Sequence, residues 1–324
     1  MEFTRRTFLH LAAGAAALPS LPRLVLAQDS YPSRPVRLIV GFTPGSASDI
    51  AARLFAKGAP LGQQIVVENK PGAGSSIAAQ YVARSPNDGY TLLLMALSTL
   101  TNEIVQPGLG IDIAKDFAPI ARLASGPYVL VVSRDSPINS VSDLVALAKA
   151  KPGQVLYGSV GAGSLPQLCA EMFAQRAGIK LTHVPYPGSP QVITDVMAGR
   201  ITMAFENAIA VVGQVAAGNI KPLATTASKR PGVLPDVPTM AEAGMPDFDV
   251  SLWFGLLAPA GTPRSVIDKL AAAAHTAMHL PETVDTLRKQ GFEPFDLGPD
   301  EFAPFIRSEI TRWSEVVRAA GMKS

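Results

Sequence analysis

Three segments of the chain concentrate glycine and serine in a pattern that can hold a small anion. They are Gly41-Phe42-Thr43-Pro44-Gly45-Ser46-Ala47-Ser48-Asp49, Pro71-Gly72-Ala73-Gly74-Ser75-Ser76 and Gly158-Ser159-Val160-Gly161-Ala162-Gly163-Ser164. Each follows a short apolar run and leads toward a helix-like one. A helix N-terminus offers unpaired backbone N–H groups and a partial positive charge. Glycine lets that backbone approach an anion closely, and serine adds hydroxyl donors. None of the three segments contains Lys or Arg. An anion there would meet neutral donors, which suits a carboxylate that is bound and later released better than a tightly held phosphate. The competing reading is that Gly-rich turns are only tight connections. Two segments in the first third and one in the middle of the chain favour a shared cleft.

Other chemistry is thinly represented. Gly72-Ala73-Gly74 and Gly161-Ala162-Gly163 do not complete a dinucleotide fingerprint, and no phosphate loop or Gly-x-Ser-x-Gly elbow occurs. His275 and His279 are one helical turn apart, but no Glu stands between them as in a metalloprotease helix and no third ligand is evident. His183, in Leu181-Thr182-His183-Val184, reads as a packing residue of a strand rather than a general base. Asp247 and Asp249 read as turn acids. The lone Cys169 lies in a helical pattern and reads as a small buried apolar residue. No catalytic group, metal site or cofactor is therefore expected, and the chain reads as a non-enzyme.

The elements that must position these loops alternate between strands and amphipathic helices, the pattern of parallel α/β sheets. Strands are expected at 36–40, 64–68 and 91–97, then at 128–132, 155–159, 181–184, 202–205, 221–226 and 253–259. Asp49 to Lys57 and Ser76 to Arg84 read as helices, the first with Ile50, Ala51 and Leu54 on one face and Arg53 and Lys57 on the other. Ser140-Val141-Ser142-Asp143 starts another, with an N-cap hydroxyl and an acid in the first turn. Further helices start near Ser164, Pro190 and Ala208, and helices dominate from Pro263 to Ala320. Two passages look like crossings between domains, 121–129 with its Ser125-Gly126-Pro127 punctuation and 245–254. A chain that crosses twice has a discontinuous first domain, 28–124 with 251–324, and an inserted second domain, 125–250. Such a pair can close about a hinge over a ligand.

Residues 1–27 read as an export signal. Arg5-Arg6 precedes Phe8-Leu9 and a mild Ala/Leu stretch, and Val25-Leu26-Ala27 suits cleavage. Adjacent arginines followed by Phe-Leu resemble a twin-arginine signal. Pro19, Pro22 and Arg23 interrupt a stretch already short for a bilayer span. Removing Arg5, Arg6, Arg23 and Glu2 leaves 25 of the 28 basic and 25 of the 26 acidic side chains, so the mature chain is neutral. A nucleic-acid partner would need a basic field, and no Lys/Arg cluster suggests a membrane surface. The periplasm is the expected compartment.

The constellation resembles the periplasmic receptors of tripartite tricarboxylate transporters, the Bug proteins, over essentially the whole mature chain. The residues that carry the likeness are Tyr31-Pro32-Ser33-Arg34-Pro35-Val36, Phe42 to Asp49, Val67-Glu68-Asn69-Lys70-Pro71-Gly72-Ala73-Gly74, Asp88-Gly89-Tyr90-Thr91-Leu92, Tyr157 to Ser164, His183-Val184-Pro185-Tyr186, Leu234-Pro235-Asp236-Val237-Pro238-Thr239 and Trp253 to Pro259. The resemblance implies a two-domain periplasmic binding protein of the Venus-flytrap, type II-like kind. It implies a monomer that binds without catalysis and passes a small di- or tricarboxylate, or an aromatic carboxylate, to membrane subunits. A sensing receptor using the same cleft is the alternative.

Carried over by position, Phe42, Pro44, Gly45, Ser46, Ser48 and Asp49 would form one wall, flanked by Ser75, Leu97 and Ser98. Ser159, Gly163, Ser164, Tyr186 and Asn207 would face them. Asp49 either orders water or pairs a ligand donor, or is only an acid of the first helical turn. Tyr186 is either a ring wall or a packing residue. The sequence departs from the family pattern at Ser46, where Gly is usual, at Pro187 for Lys, at Gln167 for His and at Glu206 for Asp. Loss of a lysine near the cleft makes a monocarboxylate or an aromatic carboxylate as plausible a ligand as a citrate-like one.

Overall fold

The computed structural model describes residues 31–321 except Pro107, Leu109 and Ala162. The expected signal, 1–27, lies outside the described residues. Strand β1 (Val36–Val40) is followed by α1 (Ala47–Gly58), β2 (Ile65–Asn69), a 3-10 turn (Ala73–Ser75), α2 (Ser76–Ala83), β3 (Thr91–Ala96), α3 (Leu97–Val105) and α4 (Ile113–Asp116). A long β4 (Phe117–Ser133) leads to α5 (Val141–Ala150), β5 (Val155–Ser159), α6 (Leu165–Ala177), β6 (Leu181–Pro185), α7 (Ser189–Met197), β7 (Met203–Asn207), α8 (Ala208–Ala216) and β8 (Ile220–Thr225). The chain ends with β9 (Ser251–Pro259), α9 (Arg264–Met278), α10 (Pro281–Lys289), β10 (Glu293–Leu297) and α11 (Pro299–Ala319).

These elements build two sheets that share β4. The first runs β2-β1-β3-β9-β4, with β10 on the far edge of β4. The second runs β6-β5-β7-β4, with β8 on the far edge of β4. Within the first, β1, β2, β3 and β4 point one way while β9 and β10 oppose them. Within the second, β5, β6, β7 and β8 point one way and only β4 opposes them. The architecture is thus α/β with mostly parallel sheets flanked by helices.

Burial explains the sequence pattern. All six residues of Thr91-Leu92-Leu93-Leu94-Met95-Ala96 are buried, because β3 is covered on both faces. Leu92 and Leu94 face α1 and α9 across Phe55 and Leu270, and Leu93 and Met95 face α2, α3 and α11 across Val82, Leu100 and Phe302. Burying each such leucine contributes about 2 kcal/mol. The β4 alternation works the same way. Leu130 and Val132 join the core of Tyr157, Phe173 and Phe205, while Val129 and Val131 join Val192, Val196 and Val211.

Three elements differ from the sequence reading. Residues 117–127, read in part as a crossing, are strand and pair with β9. Their prolines escape the usual penalty because Pro119 sits at a bulge and Pro127 is the last residue paired to β9 before Tyr128 pairs with Asn207 of β7. Helix α3 starts directly after β3 with no breaker residue to announce it. Strand β10 interrupts the C-terminal helices; Phe292 and Leu297 pack inward, and β4 supplies its partner. The last point is a tertiary override of local pattern.

Candidate functional site

The Gly/Ser loops and their neighbours all lie at the carboxyl ends of parallel strands, where open α/β sheets bind ligands. Those after β1, β2 and β3 belong to the first sheet, and those after β5, β6 and β7 to the second. The chain passes from the first sheet to the second along β4, which pairs with β9 as far as Pro127 and with β7 from Tyr128, whose cross-strand neighbour is Asn207. One direct contact closes the gap. Gly163 has φ +76°, and a Cβ there would lie 3.1 Å from Val105 Cγ1 at the end of α3. A side chain at 163 would be strained in that conformation and would crowd Val105.

In the first loop Ser46 caps α1, its Oγ accepting from Asp49 N at 3.3 Å. Asp49 is 2% exposed, and its carboxylate is saturated by protein donors. Gly45 N donates to Oδ2 at 2.9 Å, Arg53 Nε to Oδ2 at 2.8 Å and Asn69 Nδ2 to Oδ1 at 2.9 Å. Asn69 Nδ2 also donates to Phe42 O at 2.9 Å, so β2 holds both ends of the loop. Burial alone would raise the Asp49 pKa, but these three hydrogen bonds outweigh it and hold the carboxyl below its ordinary value. Arg53, placed by helical spacing on the face opposite the apolar one, reaches back one turn to Asp49.

The second loop packs on the first. Ser75 adopts a left-handed conformation (φ 78°), is 1% exposed, and its Oγ has no hydrogen-bond partner. Asn102 of α3 donates to Ala73 O at 2.9 Å and to Ser76 Oγ at 3.1 Å, tying α3 to this turn. Neither α2 nor α3 has a side-chain N-cap, so their first backbone N–H groups receive nothing from one.

The third loop is held by a chain of polar side chains. Gly163 N donates to Gln167 Oε1 at 2.7 Å, Gln167 Nε2 lies 3.4 Å from His183 Nδ1, and His183 Nε2 lies 2.6 Å from Ser159 Oγ. Burial lowers the His183 pKa, so the ring is neutral near pH 7. The tautomer that satisfies every partner carries its proton on Nε2 and donates to Ser159, whose own proton then goes to Gly161 O at 3.1 Å. In that arrangement His183 donates to Ser159 and does not activate it. His183 also stacks on Tyr157, with ring centroids 5.0 Å apart. The expected packing residue is thus also the brace of the loop.

The residues expected to line the site fall into two groups. Phe42, Pro44, Gly45, Ser46, Ser98, Ser164, Tyr186 and Asn207 reach the surface at least in part, whereas Ser48, Asp49, Ser75, Leu97, Ser159 and Gly163 are buried. Ser164 Oγ donates to Gly161 O at 2.7 Å, and Asn207 Oδ1 caps α8 by accepting from Ala210 N at 3.0 Å. The Tyr186 hydroxyl donates to Asp195 Oδ2 at 2.8 Å, and its ring packs beside Gly158. Elsewhere, His275 and His279 stack on each other at 4.6 Å, and Cys169 is buried, which pushes its thiol pKa up.

Glu206 was visible in the sequence only as a departure from a family pattern. It is fully buried at the end of β7 beside Asn207; Ser189 Oγ, in the first turn of α7, donates to Oε2 at 2.6 Å, and Oε1 has no partner. Burial raises its pKa to about 7, the single bond from Ser189 opposing weakly. The folded state therefore binds a proton that the unfolded chain has released between the ordinary value of 4.5 and about 7. Stability from this group falls as pH rises through that window. Glu206→Gln should flatten the decline and raise stability at pH 8 by up to ~3 kcal/mol. Urea unfolding at pH 5 and pH 8 measures it, and an unchanged pH slope would refute the assignment.

Against this geometry the comparisons are direct. The family model described as tripartite tricarboxylate transporter family receptor matches residues 51–322. The chain belongs to that family. Protein BugT of Bordetella pertussis is 36% identical over 299 residues, covering 91% of this chain and 92% of BugT. The solved structure of Rhodopseudomonas palustris Rpa4515 with adipate superposes with a TM-score of 0.77 at 36% identity, covering 90% of this chain and 98% of that one. MatC (Rpa3494) from the same organism, with bound malate, gives 0.74 at 31% identity and covers 89% and 100%. The receptor thus shares fold and sequence with proteins solved with dicarboxylates. Among its described residues no helix is long and apolar enough to cross a membrane.

Proposed function

We propose that this receptor captures a small carboxylate in the periplasm between two lobes and delivers it, unchanged, to the membrane subunits of a tripartite tricarboxylate-type transporter. The observation that carries the reading is the facing of two sets of strand-end loops, built from neutral donors and helix N-termini that no side chain caps. Relatives solved with adipate and malate support the ligand class. The lobes are read as 28–124 with 251–324, and 125–250; the exchange of β4 partners at Pro127/Tyr128 and the start of β9 at Ser251 support that division.

In this reading the surface-reaching Phe42, Pro44, Gly45, Ser46, Ser98, Ser164, Tyr186 and Asn207 meet the ligand, through side chain or backbone. The buried Ser48, Asp49, Ser75, Leu97, Ser159 and Gly163 shape the loops, with backbone N–H groups as their route to the ligand. The chain acts as a monomer and is exported by the twin-arginine route. The test is a thermal-shift series on the mature protein, unfolded and refolded to strip it, against adipate, malate, citrate and benzoate. A ligand that binds only the folded state at a hundred times its Kd adds about 2.7 kcal/mol, a rise of about 4 °C for a chain of this size. No rise with any carboxylate would sink the ligand assignment.

A further inference from the structure

A second cavity, the rear cavity, of about 990 Å³ opens on the strands that link the two sheets. Its floor is Ser125-Gly126-Pro127 of β4 with Ser251 and Trp253 of β9. One wall is β10 and the other is the segment after β8, residues 227–233. The start of β9 lies beside the end of β8, Val250 N donating to Thr226 O at 3.1 Å, and Gly291 before β10 packs on Ala208 after β7. None of the loop residues assigned to the front site lines this rear cavity.

Arg122 of β4 sets its character. The residue is 7% exposed and lines the cavity, with its guanidinium 3.8 Å from the Phe295 ring centroid and 4.4 Å from that of Phe305. Its Nε is buried without a partner, and among the described residues none accepts a hydrogen bond from the group. The other cations of the lining are mostly engaged: Arg230 with Glu242, Arg288 with Glu293, Lys289 with Asp285, and Arg312 with Glu309 and with the Asp249 carbonyl. The acids Asp249 and Glu309 also line the cavity, at a distance that biases Arg122 without bonding it. Desolvation lowers the Arg122 pKa to about 10, so the group is cationic at neutral pH. The two rings stabilise the cation without using its N–H donors, and the buried, unpaired Nε–H is left for a ligand acceptor to satisfy. The aromatic and proline side chains around it would accept a flat apolar body.

We propose that this rear cavity is a second ligand site, which takes a small aromatic carboxylate with its acid group on Arg122 and its ring against Phe295, Phe305 and Pro294. It is a separate site from the front one and does not depend on which ligand the front loops hold. A planar carboxylate matches the fork of a guanidinium, which an ammonium in its place would not.

The probe is 4-bromobenzoate, added to the whole mature protein after refolding to strip bound ligand. Bromine anomalous scattering should show a peak in the rear cavity of wild-type crystals. In solution the probe should quench the fluorescence of Trp253, one of two tryptophans in the chain, as a saturable binding event. Arg122→Met should lose the rear peak and weaken the quenching at least tenfold, while its unliganded melting temperature stays level or rises because an unmatched charge is gone. Arg122→Lys, which keeps the charge and loses the fork, should bind at an intermediate strength and stands in if the methionine variant does not fold. Bromine only at the front loops, a rear peak that survives Arg122→Met, or binding seen only at crystal concentration would each overturn the proposal.

Discussion

Gly41→Ala is expected to destabilise the receptor by about 3 kcal/mol and to abolish measurable carboxylate binding. A Cβ at Gly41 would stand 1.8 Å from Ser75 Oγ, 2.4 Å from Ser75 Cβ and 2.7 Å from Ser75 Cα. A side chain can rotate away from such a clash, but the Cα cannot, so the first two loops must separate. The Ser75 turn has little tolerance, since its serine is already left-handed. Urea midpoints at unchanged slope give the stability change, and calorimetric titration with the best carboxylate of the thermal-shift series gives the binding. Ser75→Gly supplies the control. It removes the left-handed strain, worth ~1 kcal/mol, together with an unpaired hydroxyl, and it should partly rescue Gly41→Ala. A Gly41→Ala protein that unfolds at the wild-type urea concentration would show that the two loops are not in contact in solution.

Asp49→Ala should be nearly as severe by a different route. It strands the Gly45 N–H, the Asn69 amide and the Arg53 guanidinium at once. Gly45 and Arg53 are exposed and can turn to water, so the loss is that of the hydrogen bonds themselves, ~1 kcal/mol each. Affinity should fall about a hundredfold, or ~2.7 kcal/mol, because the loop loses the acceptor that fixes Gly45. The pH dependence follows from the same bonds. The folded pKa of Asp49 is depressed, so its contribution is present above the ordinary aspartate value of 3.8 and is lost as pH falls through the lower, folded value. The Asp49 contribution to stability should therefore persist at pH 4, which urea unfolding of wild type against Asp49→Ala at pH 4 and pH 7 measures. Asp49→Asn, which keeps an oxygen for Asn69 and loses the charge opposite Arg53, should fall between. Unaltered affinity in Asp49→Ala would mean that the loop holds its shape by other contacts.

Much of the chain was legible before any coordinates. The αβ alternation located β1, β5 and their neighbours because period and length agree in those segments: a short apolar run, a Gly/Ser turn, an amphipathic helix. Ser46, Ser140 and Asn207 cap helices where small polar residues precede apolar runs, a local effect written in adjacent residues. The Asp49–Arg53 pair could also have been read from its four-residue helical spacing. Arg53 was instead assigned only to the solvent face.

The rest needed distant partners. Strand β10 forms because β4 offers it an edge, and residues 117–127 remain strand past two prolines because β9 pairs with them over most of their length. Asn69 bonds to Asp49 and Phe42 from a neighbouring strand, and Gln167, His183 and Ser159 meet only when α6 and β6 pack beside β5.

The sequence by itself determined the fold class, the family and the three Gly/Ser loops at the strand ends, because each loop depends on residues close together in the chain. Tertiary structure alone decided which loop residues are buried braces and which reach the surface. It also decided that Glu206 sits uncharged-prone beside Asn207 and that Arg122 faces a cavity without an acceptor. Burial and hydrogen-bond satisfaction are properties of the three-dimensional neighbourhood, and most of that neighbourhood comes from residues far away in sequence.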